Sequence, residues 1–579
     1  MRLRHVLLAA ASPLCLWAGA AQAETVISTT TATPVATATA ANGARDDIKV
    51  SSAGVLQPTA AGAAITLNSN NNVTHEGTIK IQDVSDATGI LVLGGMTGEV
   101  KTSGTITIDE SAELKDADGD GDLDGPFATG ARRFGVRVTG PGAFHGNVVQ
   151  SAGAITIEGN DSAGISVETA IDGTVQTAGA ITVTGDRSYG LHTASTVGGN
   201  VSVLSSVSAQ GAGSVAVATD DDIGGKLVLG NSVVATGFRY TTRPADAATA
   251  KLDADDLLIG GPAVRVRGDV KGGILVDAPP ADLDPKDTDE DKDGIADASE
   301  TTGAITSFGS APGMLVGSDS RDIAVGVGGT GVDAYGLNIK GSVQGQGVYD
   351  GVAAKGVQLG GLGGKVAIDG GVRVTGTVAA TAVKAGAVGL QLGAGATAPT
   401  IYVDGGSIKA TAASADAVDV RAIQIDSGAS VNRLANSGTI AAAISGSKGS
   451  ATAVLDASGS LRTIENINAI TATVASTDSS AVTGRAIALD LRANTAGVTV
   501  RQSANASTTI IPTITGDVLF GSGAARLDLL AGTLNGAVAF GSGADTLVID
   551  GGATMTGALT DAGGGLTVNV AKGRLTATN

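Results

Sequence analysis

The segment Gly153-Ala-Ile-Thr-Ile-Glu-Gly159 returns as Gly179-Ala-Ile-Thr-Val-Thr-Gly185, and this recurrence, at a period of about 26 residues, constrains the chain more than any other feature. Looser copies follow at Val207-Ser-Ala-Gln-Gly211 and Val233-Val-Ala-Thr-Gly237, so Ile155, Ile181, Val207 and Val233 keep one spacing. Upstream, Gly77-Thr-Ile-Lys-Ile and Gly104-Thr-Ile-Thr-Ile are set nearly the same distance apart. Each unit holds three alternating runs, such as Ala-Ile-Thr-Ile (154–157), Gly-Ile-Ser-Val (164–167) and Gly-Thr-Val-Gln (173–176). Alternation at period 2 marks strands with one buried face, and the Gly, Asn and Asp between the runs mark corners. Three short strands and three corners close one coil, and stacked coils place Ile over Ile with ladders about 4.8 Å apart. The fold class expected is all-β: a single-stranded parallel β-helix of about 26-residue, three-strand coils with corner insertions.

Composition agrees with a narrow interior. Aromatic residues make up 2% of the 579 positions, whereas a globular core of this size leans on bulky rings. Gly numbers 87 but has no three-residue period, and Pro numbers only 13, which excludes collagen. Abundant Val, Ile, Leu and Ala argue against disorder. The single cysteine, Cys15, lies near the start, so disulfide scaffolds and thiol or zinc–thiolate chemistry are excluded beyond it.

Residues 1–23 read as a secretory signal. Arg2, Arg4 and His5 form the basic start, Val6 to Ala18 the apolar run, and Ala21-Gln22-Ala23 the small-x-small cleavage pattern. The formal charge is −19, and loss of the two signal arginines takes it to −21. Such a balance repels nucleic acid and favours divalent cations.

Departures from the repeat locate the insertions. Residues 24–45 form a Thr/Ala-rich leader or N-terminal cap, and 46–579 the solenoid, with surplus segments near 115–129, 238–258 and 278–300. Beyond residue 370 the coils read as longer and less regular, as in Gly406-Ser-Ile-Lys-Ala and Ser437-Gly-Thr-Ile-Ala.

Two insertions carry carboxylates at calcium-loop spacing. In Asp289 to Glu300, Asp289, Asp291, Asp293 and Asp297 occupy positions 1, 3, 5 and 9 of a twelve-residue loop, with Glu300 as the bidentate twelfth ligand. Gly294 falls at the sharp turn, and Ile295 would offer its carbonyl at position 7. Asp116, Asp118, Asp120, Asp122 and Asp124 repeat the opening of the pattern, but Phe127 stands where the bidentate ligand belongs. Calcium is the expected ion at both. Gly541-Ser-Gly-Ala-Asp-Thr-Leu547 is half of a calcium-binding nonapeptide without an adjacent full copy, and reads as an ordinary turn.

Catalytic patterns are weak. His75, His145 and His192 are far apart in sequence and accompany no Gly-x-Ser-x-Gly elbow, and each is expected on a solvated corner or strand face. Five scattered tyrosines offer little stacking platform for sugar cleavage. Arg267-Gly268-Asp269 falls where a corner is expected anyway.

The export signal, the cysteine-free mature chain and the recurring Gly-Thr-Ile coils, as in Glu76-Gly-Thr-Ile79 and Asn436-Ser-Gly-Thr-Ile440, resemble an autotransporter passenger domain of the β-helix type. The resemblance covers most of residues 46–579 and implies a right-handed β-helix displayed on or released from a Gram-negative outer membrane, through the periplasm. It also implies an outer-membrane β-barrel in the full-length chain; the sequence ends at Thr-Ala-Thr-Asn579 within the solenoid pattern, so a fragment is expected. The acidic loops look like the calcium repeats of thrombospondin type 3 modules. The function expected is a non-enzymatic, adhesin-like passenger or structural stalk whose partner is a host or neighbouring cell surface, or itself. The alternatives are a polysaccharide-active β-helix enzyme, which would need a groove lined by Asp, Arg and Tyr, and a calcium-dependent surface-layer protein.

Overall fold

The computed structural model describes residues 24–577 except 118, 120–122, 281–282, 291–295 and 507–508. The signal segment 1–23 and the last two residues lie outside the described residues. Within them the chain winds into a three-faced parallel β-helix, as the repeat requires. The faces are sheets of 20, 18 and 17 strands, and all named pairings between strands are parallel. Among the described residues helix is confined to Asp246–Thr249 and two single turns, Asp297–Ser299 and Gly331–Asp333. No helix among the described residues is long and apolar enough to cross a membrane.

The repeat residues form one uninterrupted inward column on the second face. Register pairs run Leu56, Ile79, Ile106, Ile155, Ile181, Val207 and Val233, then through Ile305 and onward to Met555. Every named member is at most 1% exposed. Small β-branched and aliphatic side chains fill such a column because each rung leaves only about 4.8 Å of height.

The coils also fit one another through glycine. Gly164 sits where a Cβ would lie 2.3 Å from Ile181 Cγ2 and 2.6 Å from the Gly190 carbonyl oxygen. Gly135 and Gly190 hold the neighbouring rungs of the same position, where the second and third faces approach closely. Three residues ahead of these glycines the left-handed conformation is taken by Arg132, Asp161 and Arg187, and by Asp86 one coil earlier (φ 52–57°), an alternation of sign up the stack. Arg132 pairs with Asp86 and Arg187 with Asp161, each through two hydrogen bonds.

Coil perimeter changes along the axis. Register partners keep the repeat spacing from Ala154 and Ala180 onward to Val233. The step is wider where Thr377 pairs with Ser407, Ser407 with Thr439 and Thr439 with Ala469. It is narrower where Thr513 pairs with Thr533, Thr533 with Thr554 and Thr554 with Arg574. Ala304 already pairs with Ser342 and Ser342 with Thr377, so lengthening begins before residue 370, and the last coils are the shortest. In the two longest of these steps, two collinear strands of the first face serve one coil: Ile323–Val325 with Leu337–Ile339, then Val366–Ile368 with Val372–Val374. The single strand Ala396–Val403 pairs with both of the latter and ends the doubling.

Residues 24–45 are solenoid rather than linker. Glu24–Ile27, Thr30–Thr31 and Val35–Ala36 form the first turn, pairing with strands of the second. The segment 115–129 lies between strands Thr105–Asp109 and Phe134–Thr139. The segments 238–258 and 278–300 both leave a single coil, the one between Ser232 and its register partner Ala304.

Candidate metal centre

The first insertion is rooted by a buried ion pair. Arg133, 1% exposed, reaches the Glu110 carboxylate at 2.8 Å and the Val84 carbonyl oxygen at 2.9 Å. Glu110 accepts hydrogen bonds from the Thr129 hydroxyl at 2.6 Å and from the Thr129 and Gly130 amides. Burial pushes the Glu110 carboxyl up, but these donors and the Arg133 guanidinium outweigh it and hold it below its ordinary range. Beyond this root, Lys115 and Asp124 form an antiparallel backbone bridge, the Gly119 amide donates to Asp116 Oδ1 at 2.7 Å, and the Ala117 amide donates to Asp124.

The second insertion is anchored by aromatic packing. Phe238 is fully buried and meets Tyr349 edge-on at 4.8 Å, while the Tyr349 hydroxyl donates to the Tyr240 carbonyl oxygen at 2.8 Å. Arg239 ion-pairs with Asp255 and Asp256, each at 3.0 Å. It also reaches across to the first insertion, donating to the Gly125 carbonyl oxygen at 2.7 Å and lying 5.0 Å from the Phe127 ring centre. In return the Gly125 amide donates to Asp255 Oδ2 at 2.7 Å.

This junction brings Asp124, Asp253 and Asp255 together, with one carboxylate oxygen of each within 4.8 Å of the others. Contact with Asp255 pushes the Asp253 carboxyl up, and the same contact pushes Asp255 down. Three convergent hard oxygens, partly open to solvent, suit a calcium ion that keeps several waters. Among the described residues this is the one place where three such groups converge.

Both loops named from sequence lie partly outside the described residues. From the first loop, Asp124 enters the junction and Asp116 holds a turn, while Asp118, Asp120 and Asp122 lie outside the described residues. From the second, Asp291, Asp293 and Ile295 lie outside the described residues. Its described ligands, Asp289, Asp297 and Glu300, do not converge within the distance seen at the junction. Instead Glu290, absent from the linear pattern, donates its amide to Asp297 Oδ1 at 3.3 Å, and contact with Asp297 pushes its carboxyl up.

Asp253 and Asp255 were missed because their partner, Asp124, belongs to a different insertion far upstream; the only signal was the Asp253-Ala-Asp-Asp256 run inside a surplus segment. The other singled-out motifs serve the stack. Asp545 Oδ1 accepts the Ala525 amide of the preceding coil at 2.7 Å, as an ordinary turn would. Asp269 of the Arg267-Gly268-Asp269 corner accepts the Ala324 amide at 2.8 Å. His192 stacks on Tyr189 at 4.1 Å and contacts Asp220 at 2.9 Å. Burial raises Asp220, but His192 and Arg265 outweigh it and hold the carboxyl at about 2. His75 departs from expectation: it is in the core, 0% exposed. No known protein family, curated protein or solved structure matches the chain.

Proposed function

We propose that this chain is an exported β-helix passenger, surface-displayed or secreted, that works by presenting contact surfaces rather than by catalysis, with calcium ordering its acidic insertions. The observation that carries the reading is the division of labour between a continuous aliphatic column and insertions that meet outside it. A repeat scaffold of this kind gives each coil only its neighbours as contacts, so surface segments vary without cost to the core. The constellations of titratable groups are internally neutralised: Asp220 is held between His192 and Arg265, and Glu168 by Arg137 at 2.8 Å. These pairs lie on the faces of the sheet, where each carboxylate is matched by a cation.

At the junction Asp124, Asp253 and Asp255 would supply oxygen ligands to calcium. Titration calorimetry with millimolar calcium should give saturable heat, and Asp253→Asn with Asp255→Asn should abolish it. An unchanged heat in the double variant would move the ion elsewhere, and no heat at all would remove calcium from the account. For the passenger role, cell attachment should depend on the displayed solenoid; attachment unaffected by its deletion would overturn that part. Chelation that dissolves assemblies while monomers stay folded would instead favour self-association.

A further inference from the structure

A groove of about 1070 Å³ runs along the outside of the wide coils. One end is walled by the 238–258 insertion, through Arg243, Asp246, Leu252 and Leu257; the other by the 477–483 segment. Its floor is a single corner of five successive coils, passing Asp350, Lys384, Ser414, Gly446 and Asp478. Four spacings of about 4.8 Å give it a length of roughly 19 Å parallel to the solenoid axis. We infer that this groove binds a neutral, linear, hydroxyl-rich oligosaccharide laid along that axis.

Three features select this ligand. First, the corner amides are already used: Gly351 donates to Val383, Lys384 to Ala413, Ser414 to Ser445 and Gly446 to Ala475, at 2.8–3.0 Å. An extended peptide would find no strand edge here, and recognition falls to side chains. Second, the charges cancel. Arg243 pairs with Asp246 at 2.7 Å and Asp350 at 3.0 Å, and Lys384 with Asp350 at 2.6 Å. Lys448 and Asp478 add one charge of each sign, and the chain as a whole carries −19. A polyanion gains nothing from such a lining. Third, the lining alternates in a way that suits sugar rings. Ser445, Ser447 and Thr477 present hydroxyls with no partner among the described residues, while Leu252, Leu257 and Ala415 offer apolar surface to ring C–H faces. The rung spacing is close to the length of one pyranose unit, so each ring would meet a similar corner.

Contact with Lys384 is the main influence holding the Asp350 carboxyl below its ordinary range, and Ser480 and Ser476 hold Asp478 at about 2, so neither is set up as a general acid near neutrality. The inference supplies a ligand class for the attachment role and rests on that role only for its biological use.

The test is calorimetry of the full chain with a β-1,4-glucan hexamer, a β-1,4-mannan hexamer and a polygalacturonate hexamer. At least one neutral hexamer should bind saturably, more tightly than the acidic one. Ala415→Trp and Ser447→Trp, which fill the floor, should each weaken it by about tenfold or more at unchanged melting temperature. Thr156→Trp, on a distant coil, should leave it unchanged. No neutral binding, tighter binding of polygalacturonate, or indifference to both groove variants would overturn the inference. Attachment assays with the same variants separate the two readings: lost glycan binding with attachment intact leaves the groove assignment standing and removes its part in attachment.

Discussion

One inward column on the first face is polar twice and aliphatic elsewhere, and the two polar stretches are built differently. The column runs Val50, His75, Thr102, Gln150 and Thr177, then Val203 to Val403, then Asn436, Asn466 and Gln502, and returns to Leu529 and Ile549. In the later stretch each amide is satisfied by the next rung. Asn436 donates to Asn466 at 2.8 Å, Asn466 to Gln502 at 3.0 Å, and Gln502 to the Ala531 carbonyl oxygen at 2.9 Å. In the earlier stretch His75 Nδ1 meets Thr102 Oγ1 at 2.8 Å, but His75 Nε2 is buried with no hydrogen-bond partner. A ladder of amides repeats its own donor and acceptor every rung, whereas an imidazole ends the ladder and adds a titratable group. The same position in the same fold is therefore indifferent to acid in one region and sensitive to it in the other.

The largest effect expected comes from the earlier region's other buried charge. Arg133→Ala strands Glu110 beneath the first insertion and should cost about 3–5 kcal/mol, since removal of one partner leaves a buried carboxylate without its cation. Hydrogen exchange should accelerate around residues 105–160 while the 436–502 amides stay protected; uniform loss of protection would show that the regions are not independent.

Acid should separate the stretches next. Burial pushes the His75 imidazole down to about 4 from 6.5. Its neutral form is the folded form, so the contribution is intact above pH 6.5 and is lost as pH falls towards 4, where the unfolded chain alone takes up the proton. The loss should approach roughly 3 kcal/mol, at about 1.36 kcal/mol per pKa unit. His75→Val with Thr102→Val, which extends the aliphatic part of the column, should flatten this slope in denaturant titrations. A slope that survives would place the acid sensitivity in another group.

A smaller effect, about 1–3 kcal/mol for each amide group left unsatisfied, should follow Asn466→Ala and show no dependence on pH between about 4 and 7. The smallest should be Arg187→Ala at the exposed corner pair with Asp161, where denaturation midpoints should not move measurably. A clear shift there would mean the alternating corner charges act as a network.

The stack was legible because the even spacing of Ile155, Ile181, Val207 and Val233 is set by geometry: one coil is one rung, and on this face aliphatic side chains fill it. Insertions were legible for the same reason, as surplus over that spacing. His75 could have been placed too, since in Val73-Thr74-His75 the alternation points Val73 and His75 the same way, and residue type overrode the pattern. The strand doubling near Ile323–Val325 left a weaker trace because it repeats no motif, whereas the short coils after Thr513 do repeat one, Gly521-Ser-Gly-Ala524 and Gly541-Ser-Gly-Ala544, whose spacing is that of the register partners Leu527 and Leu547. Of the candidate metal centre, Asp124 was legible and Asp253 and Asp255 were not, because docking of one insertion on another depends on Arg239 and Gly125 meeting across the surface. No local pattern encodes that.

Register is the claim on which everything rests, and engineered cysteine pairs test it directly in a chain with Cys15 replaced by Ser. Thr156 and Thr182 are register partners on adjacent coils, and Ser208 is the partner of Thr182 one coil further. Thr156→Cys with Thr182→Cys places the Cα atoms about 4.8 Å apart, within disulfide reach. Thr156→Cys with Ser208→Cys places them at about 9.6 Å, beyond it. Mild oxidation should remove both free thiols in the first variant and neither in the second; intramolecular bridging of the second pair, or failure of the first, would contradict the stacked coil.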